Sequence, residues 1–312
     1  MQTFFNLLVK FLSERGKRLL DTALRNDSSD RNDSFNRASY WYWERQADFW
    51  SHYPSPIRLS AEDIKIYSNF LSGKKDGGKV LILGSTPELR DLVAGEGNAK
   101  VYLADFSYLM PVAMLKFTTR VDPLKETWVK TNWLDLPFRE GFFDMILGDL
   151  VLSQFPPDLE LKFFKKVRFL LKNDGFFLSR FQFIDNSILH NDIGELVKKI
   201  LAGSFLDSQK YFLLKLHLLW LFADPVKRKL NRKVSAQKFA EFIKNNNIKD
   251  TVLEKVSESL IAEQNSFRDW SPPTEEQLIR KISSEFVIDK MLTANDYEES
   301  RIYPIFSLTP KK

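Results

Sequence analysis

The sequence predicts an α/β fold built on an open, mostly parallel sheet, and three observations predict it. Apolar runs of strand length recur at 79–83, 100–105, near 127–131, and at 143–148 and 175–183. Stretches with helical spacing of apolar residues separate them, at about 87–94, 109–118 and 157–171. Short apolar strands alternating with helices are what a parallel sheet covered on both faces produces. In addition, the first run turns on Gly84 into a helix start, and the second ends on Asp105. An open α/β sheet presents its ligand crevice at such strand ends.

In chain order, residues 1–24 carry Phe4, Phe5, Leu8, Val9, Phe11, Leu12, Leu19 and Leu20 at roughly helical spacing, broken by Lys10, Glu14, Arg15 and Lys17. A helix suited to docking or to a homodimer is the preferred reading, ahead of one lying on a membrane surface. Residues 25–34 are polar and near-repetitive, as in a linker. An aromatic cluster follows: Tyr40, Trp41, Tyr42 and Trp43, then Phe49 and Trp50. Ser60 is placed to cap a helix to Leu71, with Asp63 at the spacing of a capping box. After strand five the rhythm changes. Residues 186–272 are helical in period without strands between, and Lys227-Arg228-Lys229-Leu230-Asn231-Arg232-Lys233 sits among them. Pro272-Pro273-Thr274 opens a helix at 275–284, and 286–292 and 301–308 read as two closing strands. Gly175 reads as the stop signal of the helix before strand five. The expected division is 1–60 helix, linker and aromatic segment, 61–185 core, 186–272 helical insertion, and 273–312 the last helix and terminal hairpin.

Composition removes several classes of chemistry. The 312 residues are 44% hydrophobic, ample for a large core. Cysteine is absent, which removes disulfides and thiolates, and three separated histidines make a histidine metal site a poor expectation, so no metal is assigned. A formal charge of +5 is mild for this length and does not demand nucleic acid. No apolar run reaches the ~20 residues of a membrane span, and no signal peptide pattern opens the chain, so a cytoplasmic protein without a membrane span is expected.

The chemistry begins with Gly84 and Asp105. Their spacing of 21 residues fits nucleoside binding: the glycine admits a ligand close to the backbone, and the acid accepts bonds from ribose hydroxyls. The full G-x-G-x-x-G pattern is missing, because Ser85-Thr86-Pro87 fills the turn. A ligand with a ribose and no pyrophosphate fits better. Further along stand Asp135-Leu136-Pro137-Phe138 and Phe143-Asp144-Met145-Ile146. With Val80 to Gly84 and Asp105-Phe106-Ser107 they make four motifs, which stand in the order found in class I S-adenosylmethionine (SAM)-dependent methyltransferases, and Leu83-Gly84-Ser85-Thr86-Pro87-Glu88-Leu89 spans the first of them. The chain resembles that family over about residues 60–185, and the L-G-x-T-P-E-L form resembles a bacterial subgroup of it.

The resemblance implies a Rossmann-like class I methyltransferase fold: a seven-stranded, mostly parallel sheet with an antiparallel terminal strand, plus a helical cap insertion. It implies SAM as cofactor and methyl transfer to an O, N or C nucleophile of a small-molecule acceptor. Gly84, Ser85 and Thr86 would meet SAM through the turn, and Asp105 would bind its ribose with Phe106 and Met110 beside it. Asp135 would bond the adenine amino group, with Trp133 or Leu134 against the ring. Gly148 and Asp149 would lie by the methionine part, where Asp149 could equally bind the ammonium, face the acceptor or cap a helix. The N-terminal aromatics would close over the cofactor, with Tyr40 and Tyr42 as lid contacts. The family often places a histidine after strand four; here the segment is Val151-Leu152-Ser153-Gln154-Phe155, so no catalytic base is assigned. An RNA or protein methyltransferase using the 227–233 run ranks second, since no N/D-P-P-Y/F motif follows strand four. A non-catalytic partner subunit of the same fold ranks behind it.

Overall fold

The computed structural model describes residues 47, 49–72, 77–107, 109–185, 192–266 and 268–311. The expected N-terminal helix, the linker and the Tyr40 to Trp43 cluster lie outside the described residues, as does His190.

Helix α1 (Ala61–Leu71) leads into β1 (Lys79–Leu83), α2 (Pro87–Gly95), β2 (Lys100–Asp105), the short α3 (Leu109–Met114) and β3 (Glu126–Lys130). Strand β4 (Phe143–Asp149), helix α4 (Glu160–Leu170) and β5 (Leu171–Arg180) follow. Four helices then run without an intervening strand among the described residues: α5 (Ile193–Ala202), α6 (Asp207–Leu221), α7 (Arg232–Asn245) and α8 (Thr251–Glu263). Helix α9 (Glu275–Ile282), β6 (Phe286–Leu292) and β7 (Ile305–Pro310) complete the chain. The capping box is formed: Asp63 N donates to Ser60 Oγ and Ser60 N donates to Asp63 Oδ2, both at 3.0 Å.

The seven strands stand in the order β3-β2-β1-β4-β5-β7-β6. The pairs from β3 through β5 are parallel, and β7 runs antiparallel to both β5 and β6. This is the mostly parallel sheet with a reversed terminal strand that the sequence predicts. The order reverses between β1 and β4, which opens a crevice at their carboxyl ends.

Both faces of the sheet are buried, and the strand alternation shows it. Leu81 and Leu83 of β1 join Phe143, Ile146, Phe177 and Phe181 on one face, together with α4 and the four-helix insertion through Leu196, Leu214, Phe239 and Leu253. Val80 and Ile82 point the other way, with Leu103, Met145, Leu147 and Leu178, against Tyr67, Leu71, Leu89 and Val93 of α1 and α2. The insertion is thus continuous with the main core. Burial of each such side chain contributes about 1.5–3 kcal/mol.

Two local expectations are corrected. Helix α4 stops at Leu170, where Leu171 is already extended, and Gly175 lies inside β5. A Cβ there would sit 2.9 Å from the Asp144 carbonyl oxygen and 3.2 Å from that of Phe143, beside a register shift in the β4–β5 ladder. Close backbone approach, not a helix stop, requires the glycine. The final strand begins at Ile305 and not at Arg301. Tyr303 N closes a turn on Ser300 O at 2.9 Å, and Pro304 has no N–H to give to a ladder.

Candidate functional site

A cavity of about 1110 Å³ opens at the carboxyl ends of β1, β2 and β4, with the helical insertion forming its far wall. Ligand sites span ~300–1,000 Å³, so this one has room for two small molecules side by side.

The floor is built by the β1 turn. Gly84 takes φ +91°, outside the range of L side chains, and its N–H bonds Ala104 O at 2.8 Å, tying the turn to β2. The Trp133 indole donates to the same carbonyl at 2.8 Å, which lays that ring beside Gly84. Asp105, at the end of β2, is buried; Oδ2 accepts from Ser85 Oγ at 2.7 Å and Oδ1 from Ser107 N at 3.2 Å. These bonds fix the orientation of the carboxylate at the edge of the cavity it lines.

At the end of β4, Asp149 meets Arg180 of β5 in a two-point pair, Nε to Oδ1 at 2.8 Å and Nη2 to Oδ2 at 3.2 Å. Arg180 is fully buried and also bonds Asp63 Oδ2 at 2.9 Å, so one guanidinium serves two carboxylates. Tyr67 Oη accepts from Arg180 N and donates to Gly148 O, both at 2.6 Å. Burial pushes the Asp149 carboxyl up to about 6, against the opposing pull of Arg180. Burial would lower the Arg180 guanidinium, but Asp149 and Asp63 raise it further and hold it charged. Burial likewise raises the Tyr67 phenol, with Asp149 adding to it, so it stays protonated. Asp63 Oδ1 is buried without a hydrogen-bond partner. The cluster Asp63, Asp149 and Arg180 therefore carries a net negative charge when Asp149 is ionised, and Asp149 faces the cavity. Leu150, next in the chain, adopts φ +51°, a strained conformation for a branched residue and a mark of a constrained site.

Trp50 and Tyr53 close one side. They pack edge to face at 6.0 Å, against Met110, Met114 and Phe212, and the Trp50 indole bonds Glu88 of the β1 turn helix at 3.3 Å. Arg58 also bonds Glu88, whose second oxygen is buried without a partner. Phe155, Trp270, Lys215, Arg232 and Arg268 also line the cavity.

Of the residues singled out in the sequence, Gly84, Ser85, Thr86, Asp105, Phe106, Met110, Trp133 and Asp149 line this one cavity. Leu134 is buried in the main core, and Asp135 is exposed and outside the lining itself, though its N–H donates to the carbonyl of the lining residue Asn132 at 2.9 Å. Asn132 lines the cavity instead, its Oδ1 accepting from Leu134 N at 3.0 Å to start the short turn that holds Trp133. Gly148 lies behind the lining; a Cβ there would press on Val151 Cγ1 at 2.7 Å, so packing explains it. Tyr40 and Tyr42 lie outside the described residues. The 227–233 run is not simply a solvated face. Arg228 is buried, donating to both oxygens of Glu160 at 2.6 and 3.3 Å, and Arg232 lines the cavity. His217 is buried against Glu299 at 2.7 Å, and His52 is exposed.

The sequence reading missed Arg180, Lys215, Arg268 and Trp270. Arg180 had a signal: an arginine inside the apolar run 176–181 must find buried carboxylates. Among the described residues no group of three or more His, Asp or Glu could hold a metal ion. No helix of the described residues is long and apolar enough to cross a membrane.

No family model matches the chain, and no curated protein matches it. Solved structures do. A Rhodobacter sphaeroides protein described among the Zn-dependent alcohol dehydrogenases is 15% identical, covers 86% of this chain and 99% of its own, and has a TM-score of 0.54. A Methanosarcina mazei SAM-dependent methyltransferase is 15% identical over 80% of this chain and 96% of its own, with a TM-score of 0.44. A Burkholderia thailandensis 1,6-didemethyltoxoflavin N1-methyltransferase, solved with S-adenosylhomocysteine, is 12% identical over 95% and 90%, with a TM-score of 0.43. At 15% identity the likeness to the Rhodobacter structure is one of fold alone.

Proposed function

We propose that the protein is a SAM-dependent methyltransferase acting on a small-molecule acceptor. The observation that supports this most is Asp105: a buried carboxylate at the end of β2, oriented by Ser85 and Ser107 and lining the cavity beside the Gly84 turn. Bound SAM would supply a methyl group to an O, N or C nucleophile, the new bond forming as the carbon–sulfur bond breaks and its electron pair leaves with sulfur. The chain's own residues fit that cofactor. Asp105 would take the ribose hydroxyls, the Trp133 ring and Asn132 would border the base, and Asp149 would meet the ammonium. Asp135 stands just behind that border, its N–H bonded to Asn132 O at 2.9 Å, and this reading gives the adenine to Trp133 and Asn132 first.

Catalysis would rest on orientation and water exclusion, since a sulfonium leaving group needs alignment more than acid assistance. The lining carboxylates Glu160 and Glu263 are engaged by cations, and Gln154 cannot take a proton. The described aromatics Trp50 and Tyr53 would form a wall of the cofactor half, and residues 186–272 the acceptor cap. The name of the Rhodobacter protein does not carry over to this reading, since the chain lacks cysteine and no metal-sized donor group stands among its described residues. A nucleic-acid acceptor is disfavoured by the burial of Arg228. Incubation with methyl-labelled SAM and a metabolite extract, read by mass spectrometry, tests the proposal. A labelled small molecule is expected; label confined to RNA or protein would contradict it.

A further inference from the structure

The two halves of the cavity differ in charge, and the difference bears on the acceptor. The strand end carries Asp105 and Asp149, with Asp63 behind them, against the buried Arg180 and Lys130 at the end of β3. The cap end carries Lys215, Arg228, Arg232 and Arg268 against Glu160 and Glu263 among the described lining residues. Glu160 is neutralised by Arg228 at 2.6 Å and also by Lys281. Glu263 is shared between Lys215 at 2.6 Å and Arg232 at 3.6 Å. Arg268 lines the same end, and one of its contacts is a bond to the amide oxygen of Gln154 at 2.9 Å. The Lys215 and Arg232 side chains are only 18% and 13% exposed, so water compensates them poorly. Gathering like charges in a partly dry pocket costs free energy, and an anion placed among them recovers it.

Aromatic rings stand between the two charged ends. Trp133 and Phe155 meet edge to face at 6.0 Å, and Trp270 is fastened by its indole N–H to Ser153 O at 3.2 Å. These rings line the space between the two charged ends.

We propose that the cap end binds an aromatic acceptor bearing an anionic group, a carboxylate or a phosphate, whose charge is held by Lys215, Arg232 and Arg268. This rests on the methyltransferase reading for the word acceptor, while the anion site stands on the cap residues alone. The anion would orient the ring so that its nucleophile points toward the acidic, cofactor end. Charge separation across the cavity would also keep the two ligands from exchanging places, since a cationic sulfonium and ammonium are repelled from the cap end.

The test is calorimetric titration of the full-length protein with 2-naphthoate, 2-naphthyl phosphate and the neutral 2-naphthamide, with S-adenosylhomocysteine titrated in parallel. At least one of the two anions is expected to bind about tenfold or more tighter than the amide. The stronger of the two identifies the anionic group. Lys215→Gln and Arg268→Gln should each reduce that preference severalfold while leaving the amide and S-adenosylhomocysteine affinities unchanged. If neither anion binds, if the amide binds as well as the anions, or if the preference survives both substitutions, the inference is wrong. Anion preference without any S-adenosylhomocysteine binding would uphold the anion site and sink the methyltransferase reading instead. The wild-type comparison of acid and amide decides the matter even where a variant fails to fold.

Discussion

Asp149 and Arg180 meet two-on-two where β4 and β5 end, and the same guanidinium binds Asp63, 117 residues away in sequence. This places a carboxyl with a raised affinity for protons at the edge of the cavity. The folded Asp149 carboxyl titrates at about 6, against an ordinary value of 3.8. Between those values the folded protein holds a proton that the unfolded chain has lost, so this group contributes stability below about pH 4 that is lost as pH rises through 6. The contribution is about 3 kcal/mol. Urea unfolding from pH 4 to 7 should show a wild-type slope more negative than that of Asp149→Asn by this amount; identical slopes would contradict the assignment.

If the ionised Asp149 meets the SAM ammonium, cofactor affinity should fall as pH drops below about 6. The loss should approach tenfold per pH unit, and Asp149→Asn should bind weakly with a flat profile. A wild-type affinity that stays constant from pH 5 to 8 would remove Asp149 from cofactor binding.

The Glu160–Arg228 pair is buried on both sides, at 1% and 8% side-chain exposure. Glu160→Gln leaves a buried guanidinium without its counter-charge, which costs about 3–5 kcal/mol. A shift of the urea midpoint corresponding to less than 1 kcal/mol would show that water or another carboxylate replaces Glu160.

Gly84→Ala separates strain from collision. The added Cβ would lie 3.5 Å from Trp133, ordinary contact, so the expected loss of about 1–3 kcal/mol comes from holding alanine at φ +91°. Thermal unfolding should register it, and an unchanged midpoint would show that the turn relaxes.

Trp50→Ala should weaken cofactor binding severalfold, because the ring lines the cavity, packs on Tyr53 and bonds Glu88. Retained affinity in a stable variant would reduce Trp50 to packing alone.

Much of this arrangement was legible along the chain because it is written locally. The β1 and β2 bounds follow from uninterrupted apolar runs, and Gly84 and Asp105 follow from strand-end chemistry at fixed spacing. The Ser60–Asp63 box was visible for the same reason, although Asp63's second bond to Arg180 was not. What escaped depends on contacts between distant segments. Asn132, three residues before Asp135 and bonded to its N–H, lines the cavity, a placement set by the short turn at Trp133. Arg228 read as part of a charged run, yet α4 supplies Glu160 to bury it. Gly175 looked like a helix stop because the β4–β5 register shift that crowds it has no signature in sequence.

Titration of SAM into the full-length protein and its Asp105→Ala variant, with NAD as a control, shows whether the buried carboxylate holds a SAM ribose. SAM should bind at the micromolar level and lose on the order of 1–3 kcal/mol in the variant, because ribose hydroxyls lose a charged acceptor. NAD should show no binding. Equal SAM affinity in both proteins would contradict the role of Asp105, and NAD binding without SAM binding would contradict the methyltransferase assignment itself.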